Sequence, residues 1–206
     1  AINNFSKGLS LQLADRGTLA RRVAERRAQG WVATAGDLRD VARALAAALS
    51  AVHAAGLVHR DLSPDNVLLT SVPGLEAGDG GDGGGSNRLL RSDERLVLAD
   101  LGLCKDLALS SGLTVAGGTA GFRPPEQRGT GTVDARADLW ALSTLLRWCA
   151  ADAELPRAFV SATGRSLADD PARRHPDARA WLADVERALT PADATPSPQP
   201  RRPRRQ

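Results

Sequence analysis

Methionine is absent from the 206-residue chain, which starts at Ala1, so the sequence is expected to begin inside a longer protein. Lysine is nearly absent too: it stands only at Lys7 and Lys105, and arginine carries the rest of the positive charge. That bias, with the high alanine content, fits GC-rich codon usage better than nucleic-acid binding. The formal net charge is +3, and Arg201-Arg202-Pro203-Arg204-Arg205 alone supplies more than that. Without this cluster the chain is near neutral and has no basic stripe to neutralise phosphates, so no nucleic-acid partner is expected. Cysteine is limited to Cys104 and Cys149. Two cysteines make no disulfide framework and point to a reducing, cytoplasmic compartment. Cys104 reads as a small apolar filler. No Cys or His spacing fits zinc. No apolar run reaches the roughly 18 residues of a membrane span. The longest candidate, Val41–Val58, is Ala-rich and broken by Arg43 and His53, and no signal peptide precedes it.

The periodicities describe a mainly helical (α+β) domain. Leu9–Leu19 alternates apolar and polar residues and breaks at Gly17, the pattern of a strand entering a turn. A charged helix follows over Arg21–Arg27. Val41, Leu45, Leu49 and Val52 recur at helical spacing behind Asp37, predicting an amphipathic helix over Asp37–Ala55 that Gly56 stops. His53 near its end reads as a partly buried structural histidine. Strands are expected at Val67–Thr70 and Leu96–Ala99. Between them, Ser71–Arg95 contains the run Gly78–Gly85 and reads as a flexible insertion in a hairpin. That run lacks the Gly-Lys-Ser/Thr ending and the following helix of a phosphate loop. Leu139, Leu142, Leu146 and Trp148 make Asp134–Ala151 apolar nearly all round, hence a buried helix. Trp181, Leu182, Val185 and Leu189 mark the last helix. From Pro191 the composition is that of a disordered tail, so residues 1–190 form the domain and 191–206 the tail.

The chemistry concentrates in Leu57–Leu69. There His59-Arg60-Asp61 is followed five residues after the aspartate by Asn66. Phosphoryl transfer needs a carboxylate that accepts and orients the attacking hydroxyl, and an oxygen ligand for Mg²⁺ nearby. A tight loop stiffened by Pro64 can aim both groups into one cleft. An apolar strand then delivers Asp100-Leu101-Gly102. Further on stand Gly118-Thr119-Ala120-Gly121-Phe122-Arg123-Pro124-Pro125-Glu126, Asp138-Leu139-Trp140-Ala141-Leu142-Ser143 and Asp170-Pro171-Ala172-Arg173-Arg174.

In this order these segments resemble the H-R-D-x-x-x-x-N loop, the D-F-G turn with Leu for Phe, and the P-P-E end of the activation segment in protein kinases. The last two are similar to the D-x-W that opens the family's large buried helix and to its D-P-x-x-R. The chain is identified as similar to the bacterial-type serine/threonine protein kinases, covering the hinge and the C-terminal lobe. The resemblance implies a kinase-like C-lobe with small β-hairpins around a helical core. It implies ATP and Mg²⁺ as cofactors, held by Asn66 and Asp100, and a protein substrate whose hydroxyl is oriented by Asp61. It implies that Thr119 hydrogen-bonds Asp61, that Asp138 braces the catalytic loop from behind, and that Glu126 pairs with Arg174. Ser63 stands where the family usually has a lysine that neutralises the transferred phosphate. Arg60 before Asp61 implies an activation segment ordered by phosphorylation. Its candidate acceptors are Ser110, Ser111 and Thr114, of which Thr114 has the favoured spacing from Thr119.

The Gly-rich loop, the strand lysine and its glutamate partner are missing from this chain, so the isolated fragment is expected to be inactive. The segment Trp148–Asp169 is short, so the substrate-side helix is expected to be trimmed. Two other functions are compatible with parts of this pattern. One is a pseudokinase-type binding module, and the other a small-molecule phosphotransferase, which usually lacks the equivalents of Arg60 and the Pro-Pro-Glu segment.

Overall fold

The computed structural model describes residues 15–75, 88–100, 105–106, 119–128 and 133–190. The glycine run Gly78–Gly85, the candidate acceptors Ser110, Ser111 and Thr114, and the tail from Pro191 lie outside the described residues, as do Cys104 and most of Leu9–Leu19. Helix α1 spans Leu19–Ala28. Its N-cap is Thr18, whose Oγ1 accepts the Arg21 N–H at 3.2 Å, so one orphan donor of the first turn is satisfied. Gly17, at φ 81°, makes the turn before it, and the Leu69 N–H donates to its carbonyl at 2.8 Å. The positive φ explains why a glycine sits there.

Helix α2, Ala35–Ala54, is the central element. It starts with a reciprocal capping box: the Asp37 N–H donates to Thr34 Oγ1 and the Thr34 N–H to Asp37 Oδ2. The other Asp37 oxygen accepts the Leu89 N–H at 2.8 Å, which ties the helix start to the chain entering the hairpin. Leu38, Val41, Leu45 and Leu49 are completely buried. Their spacing makes one stripe, and it packs against α5 and α3.

Two small antiparallel sheets stand beside the helices. Strand β1, Leu57–Val58, pairs with β4, Lys105–Asp106. Strand β2, Val67–Ser71, pairs with β3, Glu94–Leu98, with Val67 opposite Leu98. A single turn of 3₁₀ helix at Pro125–Arg128 follows. Helices α3 (Arg136–Cys149), α4 (Arg157–Ser166) and α5 (Ala178–Leu189) complete the described chain. Helix α3 buries Leu139, Leu142, Leu145 and Leu146 completely. Trp181 of α5 is wholly inside, and its indole N–H donates to Ser143 Oγ at 2.8 Å. An indole buried without such an acceptor would be costly.

The expected insertion over Ser71–Arg95 is too wide at both ends. Ser71 belongs to β2, and Glu94 and Arg95 to β3. Leu89 is completely buried. Arg22 grips the Glu94 carboxylate with two bonds of 2.9 and 2.7 Å and also donates to the Leu89 carbonyl. The polar and Gly-rich composition around Leu89 concealed a segment anchored by one apolar side chain and an ion pair to a distant helix. The hairpin strands are accordingly shifted from the expected Val67–Thr70 and Leu96–Ala99. Between α3 and Asp169 the chain holds one ten-residue helix, α4.

Near the end of the chain, His175 is completely buried between Ser166, whose Oγ lies 2.7 Å from Nδ1, and Asp184, 3.0 Å from Nε2. Asp184 also accepts from Arg187, and Arg165 stands beside it. Burial, opposed by the Asp184 hydrogen bond, lowers the His175 pKa below 6.5. The unfolded chain therefore binds a proton here before the folded one does, and stability falls as pH drops through 6.5 toward the lower folded value. The expected slope is at most about 1.4 kcal/mol per pH unit from this group. Urea unfolding of the wild type and His175→Gln between pH 7.5 and 5.5 checks it; equal slopes would refute the assignment.

Candidate active site

The loop after β1 is fixed from behind by one buried carboxylate. Asp138, in the first turn of α3, accepts the His59 N–H at Oδ2 (2.9 Å) and the Arg60 N–H at Oδ1 (2.8 Å). Its Oδ2 is also 2.8 Å from His53 Nε2 at the end of α2. Arg60 has φ 70°, a left-handed conformation that an L residue adopts only at a cost. It persists because its neighbours over-determine it. Asp138 takes its N–H, and Gln127 Nε2 donates to its carbonyl at 2.5 Å.

This twist presents Asp61. Its Oδ2 accepts from Asn66 Nδ2 at 2.9 Å, and the same amide nitrogen reaches the Asp61 carbonyl at 2.9 Å. Its Oδ1 accepts the Thr119 N–H at 2.7 Å and the Thr119 hydroxyl at 3.2 Å. The carboxylate is thus oriented by the loop on one side and by the 119–128 segment on the other. His59, fully buried, links the loop to the strand that carries Asp100. Its Nε2 donates to the Ala99 carbonyl at 3.1 Å, and its Nδ1 is 3.4 Å from the Asp61 nitrogen. The carbonyl can only accept, which assigns the proton to Nε2.

Asp100 follows β3 with φ 59° and is exposed. The Ala99 N–H donates to the Asn66 carbonyl at 2.8 Å, so Asn66 and Asp100 stand at the same end of the hairpin. Asn66 makes both of its side-chain bonds through Nδ2, and its Oδ1 has no protein partner among the described residues. A carboxylate and a carboxamide oxygen are the hard donors Mg²⁺ takes, and it needs few of them from protein. The residues present fit that ion.

Ser63 is completely buried, and its Oγ has no hydrogen-bond partner among the described residues. Arg60 is also buried, and its Nε and Nη2 have no partner among the described residues. Below the site, Arg174 clasps Glu126 with bonds of 2.6 and 2.8 Å. Its remaining donors go to the carbonyls of Ala168, Arg136 and Asp169. One contributor, Gln127, carries no sequence signal: it acts on a backbone carbonyl, which leaves no pattern, although it adjoins Glu126. His53, half-buried at the end of its helix, has a structural role and touches the carboxylate that holds the loop.

Comparison with known proteins agrees with this geometry. The family model described as the protein kinase domain matches residues 5–157. The serine/threonine-protein kinase PknL of Mycobacterium tuberculosis is 31% identical over 209 residues, which cover 86% of this chain and 46% of that protein. The serine/threonine-protein kinase PKZ1 of Phytophthora infestans is 37% identical over 108 residues, 52% of this chain and 26% of the relative. The chain thus spans about half the length of PknL and a quarter of PKZ1. The crystal structure of the PknI kinase domain of Mycobacterium tuberculosis superposes with a TM-score of 0.54 at 23% identity, covering 84% of this chain and 62% of that one. That likeness speaks for the fold, whereas the family model speaks for kinship. The chain belongs to the protein kinase family, and within it resembles the bacterial serine/threonine kinases.

Proposed function

We propose that the protein carrying this chain transfers the terminal phosphoryl group of ATP to serine or threonine hydroxyls of proteins. The observation that supports it best is the orientation of Asp61 by Asn66 on one oxygen and Thr119 on the other. In this reading Asp61 accepts the hydrogen of the attacking hydroxyl and holds its oxygen in line. Asn66 and Asp100 hold Mg²⁺, which bridges and neutralises the nucleotide phosphates. Asp138 does not touch the reacting groups; it keeps the loop in the one conformation that presents Asp61. Ser63 brings no positive charge to the phosphate, so the site relies on the metal and on groups outside this chain. This chain has no phosphate-gripping lysine or glycine loop of the family kind, so in this reading the 206 residues alone have little or no activity. No helix among the described residues is long and apolar enough to cross a membrane. With so few cysteines, a cytoplasmic site of action is the proposed one.

The test is incubation of the gene product, expressed in full, with γ-labelled ATP, Mg²⁺ and a generic protein substrate, followed by acid hydrolysis. Labelled phosphoserine or phosphothreonine is expected. ATP binding without any transfer would favour a regulatory module, and label in a small-molecule acceptor alone would favour the related phosphotransferases.

Arg60 supports a second part of the proposal. A buried guanidinium with two nitrogens unpartnered among the described residues has an unmet demand for anionic acceptors. A phosphate on the activation segment supplies close to two charges and three acceptor oxygens. Thr114 is the proposed acceptor, ahead of Ser110 and Ser111. Mass spectrometry after incubation with ATP is expected to find phosphate on Thr114, and Thr114→Ala to lower activity at least tenfold. Phosphate found only elsewhere, with Thr114→Ala fully active, would make Arg60 a packing residue.

A further inference from the structure

A groove of about 460 Å³ runs between the start of α2 and the segment 88–96, apart from the candidate active site. Arg43, Arg88, Arg91 and Arg95 line it, and all four are exposed. Only Asp40 and Glu94 oppose them. Glu94 is already committed, because Arg22 takes both its oxygens and the Arg91 N–H adds a third bond. Those bonds hold its pKa below the ordinary carboxylate value in spite of burial. Asp40 faces Arg88 at 3.7 Å, and Arg43 reaches Glu186 on α5. Arg91 and Arg95 make no side-chain hydrogen bond or ion pair among the described residues, so the groove keeps two solvated guanidiniums with no protein partner there. Its floor is apolar, formed by Leu90 and Leu96.

We propose that this groove docks an acidic peptide segment of a partner protein, with carboxylates on Arg91 and Arg95 and an apolar side chain between them on Leu90 and Leu96. Three features favour a peptide over other anions. A guanidinium fork matches a carboxylate bidentately. The groove alternates apolar floor and charged rim, as a protein interface does. Asp40 remains partly exposed inside it, where it would repel the continuous phosphate chain of a nucleic acid. Leu96 belongs to the core and Ala44 and Leu90 pack against it, which holds this part of the groove in place for binding.

The test uses the whole chain and reads binding directly, so its outcome is independent of phosphoryl transfer. A fluorescein-labelled peptide of alternating Glu and Leu is titrated at low salt and followed by anisotropy. A Lys/Leu peptide and a single-stranded oligonucleotide of equal length serve as competitors. Saturable binding of the acidic peptide is expected, weakened at least tenfold in Arg91→Glu/Arg95→Glu and strengthened in Asp40→Asn. Both variants change exposed or half-exposed side chains, and unchanged thermal melting shows that they are folded. No saturable binding, equal affinity for the double variant, or displacement by the oligonucleotide more efficient than by unlabelled acidic peptide would each overturn the proposal.

Discussion

Asp61→Asn is expected to lower phosphoryl transfer by about 10²–10⁴-fold in the full gene product, the range for losing a positioned general base. The substitution is nearly isosteric. Its amide oxygen can still accept the Thr119 N–H, which lies 2.7 Å from Oδ1 in the wild type. What it loses is the second acceptor, because an amide nitrogen would meet the Asn66 Nδ2 donor that now lies 2.9 Å away. It also loses the capacity to take a hydroxyl hydrogen. ATP affinity is expected to stay within a few-fold, since the proposed ion ligands, Asn66 and Asp100, are unchanged. Equilibrium ATP binding measured beside single-turnover transfer separates the two effects. A variant that retained more than a tenth of wild-type turnover would remove Asp61 from the role proposed for it.

Arg174→Ala is expected to be the most damaging change to stability, at about 3–5 kcal/mol. The arginine side chain is completely buried and serves five acceptors: both Glu126 oxygens and three backbone carbonyls. Removing it leaves a mostly buried carboxylate without its counter-charge. It also takes a donor away from three backbone carbonyls. Arg174→Lys keeps the charge but cannot reproduce the fork, so an intermediate loss is expected. Urea unfolding of the 206-residue chain measures both. A loss below about 1 kcal/mol for Arg174→Ala would mean that water replaces the arginine, contrary to its burial.

The long helices were legible because their apolar positions follow the helical period without interruption. Val41, Leu45 and Leu49 point into the core of α2 as their spacing required. The proximity of Asp61 and Asn66 was legible too, since five residues of a loop stiffened by Pro64 leave them little room to separate. The edges of the hairpin were not. Leu89 is buried, but one leucine beside a glycine run has no periodicity to read, and its anchor Arg22 lies 67 positions away. Gln127 was equally hidden. Its partner is the backbone of Arg60, and a backbone carbonyl has no letter in the sequence. The burial of Ser63 could not be foreseen either, because a hydroxyl is compatible with either side of a turn.

The Asp138 clamp also has a consequence in time. The loop donates two of its backbone hydrogen bonds to a residue 78 to 79 positions downstream. A ribosome therefore releases every residue of the loop well before the helix that shapes it. Until α3 has emerged and docked, nothing from that helix offsets the cost of holding Arg60 at φ 70°. Contacts this distant in sequence form late, because loop closure must precede their reward. A nascent chain halted short of Asp138 thus contains the whole of Leu57–Leu69 without its working shape. The shape of the loop therefore depends on a helix that is made after it.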